Sequence, residues 1–187
     1  QKDYLNSEVY KNDLKFWTDK LGGELPIGDL PCDFQRPPEM NHEGGIHPFT
    51  IEADLSDKLR LFCETNGISL FTLFLGVFKK TLMDYSQTQE TIVGIPVRGR
   101  NSSGLLNTVG YFVNVLPIRT KNNDSVADFF SDVQNEVGDA LAHQDVPFSN
   151  IMQGIKWKRD PSRTAIFHSF FSFQDVTNRK MLFDGEP

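Results

Sequence analysis

The sequence contains little cysteine. Cys32 and Cys63 are the two cysteines among 187 residues, too few for the disulfide framework that stabilises small secreted domains. We recognise no signal-peptide pattern in these residues. We therefore expect reduced thiols and a cytoplasmic protein.

Positive charge and long apolar runs are also scarce. Lys and Arg total 19 against 25 Asp and Glu, a net charge of −6, which argues against binding to a nucleic-acid backbone. The longest apolar run, residues 70–78, is interrupted by Thr72 and followed by Lys79 and Lys80, so it is too short for a membrane span. These features predict a soluble protein that binds neither nucleic acid nor a membrane.

Common catalytic and metal-binding motifs are missing too. There is no glycine-rich phosphate loop, no GxSxG nucleophile motif and no HExxH zinc motif. His42 and His47 lie in a stretch rich in proline and glycine, and no third ligand accompanies them at a suitable spacing. We interpret this stretch as a solvated loop and predict no metal site.

The other two histidines have simple structural interpretations. His143, Asp145 and Ser149 are the residue types of a hydrolytic triad, but residues so close in sequence rarely satisfy its tertiary geometry. We interpret this segment as a helix end followed by a second, capped helix. His168 lies in an aromatic stretch and is predicted to be a hydrogen-bonded core histidine.

What the sequence does contain is a composition typical of a folded domain. Hydrophobic residues make up 39% of the chain, and phenylalanine supplies 16 positions. A chain of this length can form one compact domain. We expect its core to be rich in phenylalanine.

Apolar residues spaced by three and four predict several helices. Gly22-Gly23 is a stop signal and Ser69 is a cap. Asp124 or Ser125 can cap the helix that follows them, and Asp128 would complete a capping box with Ser125. A further short helix follows Asp145, which we predict to be its cap. The predicted helices cover residues 3–21, 55–66, 70–85, 126–141 and 147–155.

Runs of β-branched and aromatic residues predict strands. Residues 24–45 hold four prolines and three glycines, which predicts a long extended connector. Helices interleaved with strands indicate an α/β layered sandwich. The predicted strands cover residues 46–52, 91–97, 109–119 and 165–174.

Six ordered segments stand out against this background. They are residues 10–21 (YKNDLKFWTDKL), 29–38 (DLPCDFQRPP), 90–100 (ETIVGIPVRGR), 109–119 (VGYFVNVLPIR), 143–149 (HQDVPFS) and 159–174 (RDPSRTAIFHSFFSFQ). Together they resemble the later motifs of condensation domains from nonribosomal peptide synthetases. One such segment is weakly specific, but six in the same order and spacing extend the resemblance over nearly the whole chain.

The resemblance implies a chloramphenicol-acetyltransferase-like fold, in which two α/β subdomains meet in a V and enclose a tunnel. Residues 1–45 would be an N-terminal helix and the connector, and residues 46–187 the second, C-terminal subdomain. The family's HHxxxDG motif belongs to the first subdomain. This chain has no adjacent histidine pair, and HEGGIH at 42–47 does not match the motif. The resemblance therefore implies part of an enzyme that is inactive alone and contributes no catalytic residue.

The implied reaction is amide formation between two thioesters tethered to carrier proteins. The amine of an aminoacyl acceptor attacks an acyl or peptidyl donor in the biosynthesis of antibiotics and other secondary metabolites. The implied partners are the N-terminal subdomain, donor and acceptor peptidyl carrier proteins and an adjacent adenylation domain. Phosphopantetheine would arrive on the carrier proteins, and this chain is expected to bind no cofactor of its own.

The resemblance places Gly110, Tyr111 and Asn114 on the tunnel wall. Gly110 would allow the backbone to approach a pantetheine arm, and Asn114 offers both hydrogen-bond donors and an acceptor. An ordinary strand role is the alternative for Tyr111, Phe112 and Val113, and we prefer it for Phe112.

Related activities remain as alternatives. The segment VGYFVNVLPIR favours a condensation domain over an epimerisation domain, whereas heterocyclisation domains differ in the N-terminal half. PVRGR departs from the family's usual PVAGR at Arg98, and we expect this substitution to alter only the local surface charge. A non-catalytic module that docks carrier proteins would share the fold, and an intact or degraded HHxxxDG motif in the N-terminal half would separate it from an enzyme.

Overall fold

The secondary structure comes from a computed structural model that describes residues 2–26, 28–40, 43–100, 103–105, 108–157, 160–164 and 166–174. Its helices are α1 (Lys2–Leu5), α2 (Glu8–Lys20), α3 (Ala53–Asn66), α4 (Leu70–Ser86), α5 (Val126–Ala142) and α6 (Phe148–Gly154). Its strands are β1 (Glu90–Val97), β2 (Asn114–Lys121) and β3 (Ser169–Phe170), and Ser103–Leu105 forms one turn of 3₁₀ helix.

β1 is the central strand of a three-stranded sheet with the order β2–β1–β3. It pairs antiparallel with β2, from Glu90 opposite Lys121 to Val97 opposite Asn114, and parallel with β3. Residues 91–95 are all buried, and because successive side chains point to opposite faces, both faces of β1 are covered. Helix α4 contacts β1 and α5 contacts β2, so the prediction of helices layered on a sheet is confirmed.

The core is mainly aliphatic. Phe129 and Phe130 of α5 are buried, whereas the other described phenylalanines are half-buried or exposed and form peripheral ring pairs such as Phe71 with Phe171. The expectation of a phenylalanine-rich core is therefore wrong, because the strands fill the centre with branched aliphatic residues. The largest fully buried apolar side chains are Trp17, Leu21, Leu75, Met83, Ile95, Leu116, Ile118 and Ile151.

The single helix predicted over residues 3–21 is in fact two helices. Ser7 separates them, since its hydroxyl donates to the carbonyl of Tyr4 (2.7 Å) and accepts the N–H of Tyr10 (3.1 Å), which caps α2. The other predicted helices are confirmed, with Ser69 and Ser125 as the caps of α4 and α5.

Pairing between strands is shorter than the sequence patterns predict. Residues 46–52 form no strand, and Phe49 is largely exposed, because no strand of the described ranges pairs with them. Of residues 165–174, only Ser169–Phe170 join the sheet, and Ala165 lies outside the described residues. An alternating pattern of side chains predicts an extended backbone, but it does not show whether another strand lies beside that backbone to pair with it.

The strand predicted over residues 109–119 joins the sheet only at Asn114. β1 ends at Val97, and the chain then turns at Gly99, whose φ is +60°. A side chain on Gly99 would overlap the carbonyl oxygen of Phe112, so the two backbones pass close together without forming a ladder. Residues 109–113, directly before Asn114, lie outside the β1–β2 ladder, with a bend at Gly110.

The stretch from 24 to 45, predicted to be an extended connector, forms neither helix nor strand over its described residues. Asp29 anchors it by accepting two hydrogen bonds from the Arg163 guanidinium, one of them 2.6 Å long. These hydrogen bonds hold the pKa of Asp29 below its ordinary value. The ring of His168 lies 3.4 Å from Asp29, and its side chain is 25% exposed, so the prediction of a core position for this histidine is wrong.

The remaining predictions from composition concern thiols, membranes and metals. Cys32 is exposed, Cys63 is buried, and they form no disulfide, as predicted. No single helix in the described ranges is long and apolar enough to cross a membrane, although α3 and α4, bent by 104°, reach that length and composition together. Over those same ranges, no group of three or more His, Cys, Asp or Glu side chains could hold a metal ion.

Lys79 of α4 is a charged residue in the core. Its side chain is fully buried, and its ammonium nitrogen donates to the carbonyl oxygen of Ile118 in β2 at 2.6 Å. Burial lowers the pKa of Lys79 from 10.5 to about 7, and the nearby carboxylates Glu136 and Glu90 oppose the shift. The lysine links α4 to the sheet, and its protonation is coupled to folding.

We predict that Lys79 makes the free energy of unfolding rise from pH 7 towards pH 10.5. In this range the unfolded lysine keeps its proton while the folded lysine has lost it, so stability increases with pH, by roughly 2 kcal/mol up to about pH 9. Lys79→Met should remove this rise, whereas Lys80→Met, at a partly exposed neighbouring position, should not. Urea unfolding across this range measures the effect, and an unchanged slope in Lys79→Met would contradict it.

Candidate functional site

A cavity of about 580 Å³ lies between the residues that lead into β2 and the turn that precedes α6. Two of the three predicted site residues, Tyr111 and Asn114, line it. The third, Gly110, is next to the lining residues in sequence, and its carbonyl oxygen accepts a hydrogen bond from Arg100. The lining residues are Tyr4, Gly99, Leu105, Tyr111, Phe112, Val113, Asn114, Gln144, Asp145 and Pro147.

Asn114 joins the two walls of this cavity. Its side-chain nitrogen donates to the carbonyl oxygens of Gln144 (2.9 Å) and Val146 (2.8 Å), and its side-chain oxygen accepts the N–H of Phe148 (3.1 Å). Both amide hydrogens and the oxygen are thus engaged inside the protein. Asn114 is therefore a structural link between β2 and the turn, with no donor left for a substrate.

The same contact corrects the predicted cap of α6. The cap position is Pro147, which makes no side-chain hydrogen bond, and Asp145 does not occupy it. The N–H of Phe148, at the first position of α6, is satisfied by Asn114 instead. A cap supplied from a residue 34 positions earlier leaves no local signal in the sequence.

Residues 109–113 present their side chains differently from a strand. Val109 and Tyr111 are 100% and 87% exposed, and Phe112 is half-buried beneath the Arg100 guanidinium, 4.3 Å from the ring centroid. The preferred strand role for Phe112 is therefore wrong, because the ladder ends before it is reached. Tyr111 offers an exposed aromatic ring at the cavity.

Arg100 organises the loop that ends at this segment. Its guanidinium donates to the carbonyl oxygens of Leu105, Thr108 (2.7 Å) and Gly110 (3.3 Å). The planar fork of arginine suits several fixed acceptors at once. This role of Arg100 was not predicted, although an arginine directly after Gly99 in an irregular loop was an available signal.

His143 takes part in a different arrangement from a hydrolytic triad, as predicted. Its Nδ1 lies 2.7 Å from a carboxylate oxygen of Asp13, and its carbonyl oxygen accepts the indole N–H of Trp17 at 2.9 Å. The other oxygen of Asp13 accepts the hydroxyl of Tyr4 at 2.7 Å. Burial, followed by this hydrogen bond, raises the pKa of Tyr4 above its ordinary value.

Tyr4 and Asp13 were missed as site residues. The available signal was an acid in the apolar stripe of α2, where Asp13 stands between Tyr10 and Trp17 at helical spacing. An acidic side chain on a buried face needs hydrogen-bond partners. The sequence did not show that these partners are Tyr4 of α1 and His143.

The family of the chain follows from comparison with known proteins. The family model described as "Condensation domain" matches residues 1–184. The chain belongs to the condensation-domain family. It is 36% identical to surfactin synthase subunit 1 of Bacillus subtilis (strain 168) over 173 residues, 91% of this chain and 5% of that protein. The condensation-domain chain thus spans a small part of the curated relatives it matches, and the resemblance based on six ordered segments is confirmed.

Solved structures share the fold of this condensation-domain chain. A four-domain nonribosomal peptide synthetase, holo-AB3403 bound to AMP and glycine, superposes with a TM-score of 0.86 at 25% identity, over 91% of this chain and 13% of that chain. The X-domain from teicoplanin biosynthesis has a TM-score of 0.81 at 22% identity, over 90% of this chain and 38% of that chain. The implied α/β condensation-domain fold is confirmed.

We predict that Asn114→Ala lowers the free energy of unfolding by about 1–3 kcal/mol, because two carbonyls and one N–H lose their partner. Asn114→Asp keeps an acceptor for Phe148 but sets a carboxylate against two carbonyl oxygens, so it should cost at least as much. Asn135→Ala, at an exposed position of α5, is the control. Urea unfolding compares the variants, and wild-type stability in Asn114→Ala would contradict the prediction.

Proposed function

We propose that this chain is the C-terminal half of a condensation domain and that its cavity forms part of the wall of the substrate tunnel. One observation carries the proposal: two family-like segments line one cavity, through residues 111–114 of the first and Gln144, Asp145 and Pro147 of the second. In this proposal residues 46–187 are the C-terminal subdomain, and residues 1–45 lead into it from the N-terminal subdomain. The function is amide formation between carrier-tethered thioesters in a cytoplasmic synthetase.

The contribution of this chain to that reaction is geometric. A thioester is an activated electrophile, so holding it close to the attacking amine supplies much of the rate. Asn114 fixes the turn on one side of the cavity, and Arg100 fixes the loop on the other. A wall that is fixed before the substrate arrives needs no reorganisation during the reaction. The proton-transfer or positioning histidine would come from the N-terminal half.

The cavity wall suits the phosphopantetheine arm of a carrier protein, which would bring each substrate as a thioester. The arm is a narrow chain with two amide groups, and residues 109–113 lie outside the ladder, so their backbone is paired with no strand. Gly110 has no side chain to obstruct its approach, and Tyr111 is largely exposed. We propose that the backbone of this segment and the Tyr111 ring line the path of the arm, while donor and acceptor carrier proteins dock outside and an adenylation domain lies adjacent.

We predict that the purified 187-residue chain forms no amide bond with loaded donor and acceptor carrier proteins, because it holds no replacement for the HHxxxDG histidine. The intact domain that contains it should do so in the same assay. Turnover by the chain alone would contradict the assignment of catalysis to the missing half. An inactive intact domain that still binds carrier proteins would indicate a docking module, and cyclised or epimerised products would indicate the related activities.

We also predict that Asn114→Ala slows single-turnover condensation by the intact domain by roughly ten- to a hundredfold. The amide of Asn114 has no free donor, so the loss would act through displacement of the turn at residues 143–148. Thermal melting identifies a variant that has simply unfolded. An unchanged rate constant in a folded Asn114→Ala domain would remove this residue from the site.

An apolar face of α4 fits the proposed contact with the N-terminal subdomain. We call it the α4 apolar face and define it as Phe71, Phe74, Val77, Phe78, Phe171 and Phe173. Its phenylalanine rings contact one another across α4 and the segment after β3, while Val77 and Phe173 are 49% and 43% exposed. Clustered apolar groups of this kind mark interaction surfaces.

We predict that the chain without its N-terminal partner self-associates or binds a hydrophobic dye through the α4 apolar face. Val77→Glu should weaken both effects, because it places a charge on the exposed part of the face. Ser131→Glu, at an exposed position of α5, is the matched control. Sedimentation and dye fluorescence measure the change, and a monomer that binds no dye would count against the proposed interface.

A further inference from the structure

Asp13 is an acid buried inside the protein and close to the cavity. It lies in the middle of α2 and is 9% exposed. Its neighbours on the same face, Tyr10 and Trp17, pack against the core. A buried carboxylate is costly unless hydrogen bonds compensate it, so the partners of Asp13 show what it does.

The two oxygens of Asp13 bind two different parts of the structure. One accepts the Tyr4 hydroxyl of α1, and the other lies 2.7 Å from Nδ1 of His143 at the end of α5. An ionised carboxylate only accepts hydrogen bonds, so with Asp13 in that form Nδ1 of His143 is the donor. Phe16 stacks on the imidazole with 4.0 Å between ring centroids, which fixes the plane of the ring.

Both partners of Asp13 belong to the cavity or adjoin it. Tyr4 lines the cavity, and His143 immediately precedes the lining residues Gln144 and Asp145. Asp13 therefore connects Tyr4, in one part of the cavity wall, to His143, where the turn that forms another part of the wall begins. The turn is held from its other side by Asn114.

A second pair of contacts joins α2 to the same region. Trp17, one turn after Asp13, donates to the carbonyl oxygen of His143 at 2.9 Å. Tyr10, one turn before it, accepts a hydrogen bond from Asn150 of α6 at 2.8 Å. Helix α2 thus packs along the turn after His143 and the start of α6. Asp13 lies between Tyr10 and Trp17 on α2 and is linked through Tyr4 to the cavity.

We propose that Asp13 is a positioning residue for the tunnel wall, which it sets by holding Tyr4 and His143 at the same time. The inference rests on the proposed function for its effect on condensation. Asp13 touches no reacting atom and acts through the position of Tyr4 and of residues 144–147. Its loss displaces the wall and slows the reaction of bound substrates, while carrier proteins that dock outside the cavity bind as before.

The test compares Asp13→Ala, Asp13→Asn and Tyr4→Phe in the intact condensation domain, with Asp19→Ala as the matched control. Asp19 is an acid of the same helix whose exposed side chain pairs with Lys15. Single-turnover rate constants are measured at saturating loaded carrier proteins. Partial unfolding lowers the amplitude of such a reaction but leaves its rate constant unchanged, so the rate constant separates positioning from a purely stabilising role.

We expect Asp13→Ala to lower the rate constant about tenfold or more, with little change in the carrier concentration that gives half-saturation. Asp13→Asn keeps the shape and can accept from one partner while donating to the other, so it should recover most of the rate. Tyr4→Phe removes a single hydroxyl and should lower the rate about threefold or more. It tests the same contact if Asp13→Ala does not fold. Wild-type rate constants in folded Asp13→Ala and Tyr4→Phe would overturn the proposal.

A measurement without turnover keeps this inference separate from the proposed function. In the 187-residue chain, the side-chain amide signals of Asn114 and Gln144 in NMR spectra report the position of the turn. Asp13→Ala should shift them and Asp19→Ala should not. If the intact wild-type domain is inactive with loaded carriers, the proposed function fails while these shifts still support the positioning role. Unchanged amide signals in Asp13→Ala would overturn it.

Discussion

The candidate site depends on the three hydrogen bonds of Asn114. They tie the first residue of β2 to the carbonyls of a turn and to the first N–H of α6, so sheet, turn and helix share one point of attachment. Since the amide is completely used within the protein, the shape of the cavity is set by internal contacts before any ligand arrives. The asparagine is part of the frame of the site, and the exposed groups around it are those that can meet a substrate.

Arginines stabilise the irregular segments around this frame. Arg100 gathers the carbonyls of the loop before residue 110, and Arg163 holds the connector through Asp29. Arg119 does the same for the start of the connector, where it donates to the carbonyls of Gly22 (2.9 Å) and Glu24 (3.0 Å) while pairing with Glu90 (2.8 Å). In each case a guanidinium supplies several donors to backbone or carboxylate groups that no helix or strand satisfies.

Local patterns in the sequence predicted the helices well and the strand pairing less well. Ser69 and Ser125 marked their helices because a cap acts within three residues. Residues 46–52 and 109–113 have strand-like patterns, but pairing depends on a neighbour that the pattern cannot show. Lys79 was read as the end of an apolar run, because nothing nearby in sequence reveals that its partner is the carbonyl of Ile118, 39 residues away.

Residue types pointed to the site, but its connections were not predictable. The segment VGYFVN placed Tyr111 and Asn114 at the cavity, whereas the contacts of Asp13 with Tyr4 and His143 join residues up to 130 positions apart. The helical spacing marked Asp13 as an acid on an apolar face, but nothing in the sequence identified Tyr4 and His143 as its partners. Only the packing of α2 against the end of α5 brings these groups together.

The early end of the β1–β2 ladder has a consequence for selectivity. β1 ends just before the turn at Gly99, and residues 109–113, which lead into β2, have no paired strand. Main-chain groups recognise any amide-containing chain to the same extent, and it is side-chain pockets that distinguish one such chain from another. A ligand lying along residues 109–113 would therefore be held by features common to all substrates of its class, and discrimination between them would have to arise elsewhere in the domain.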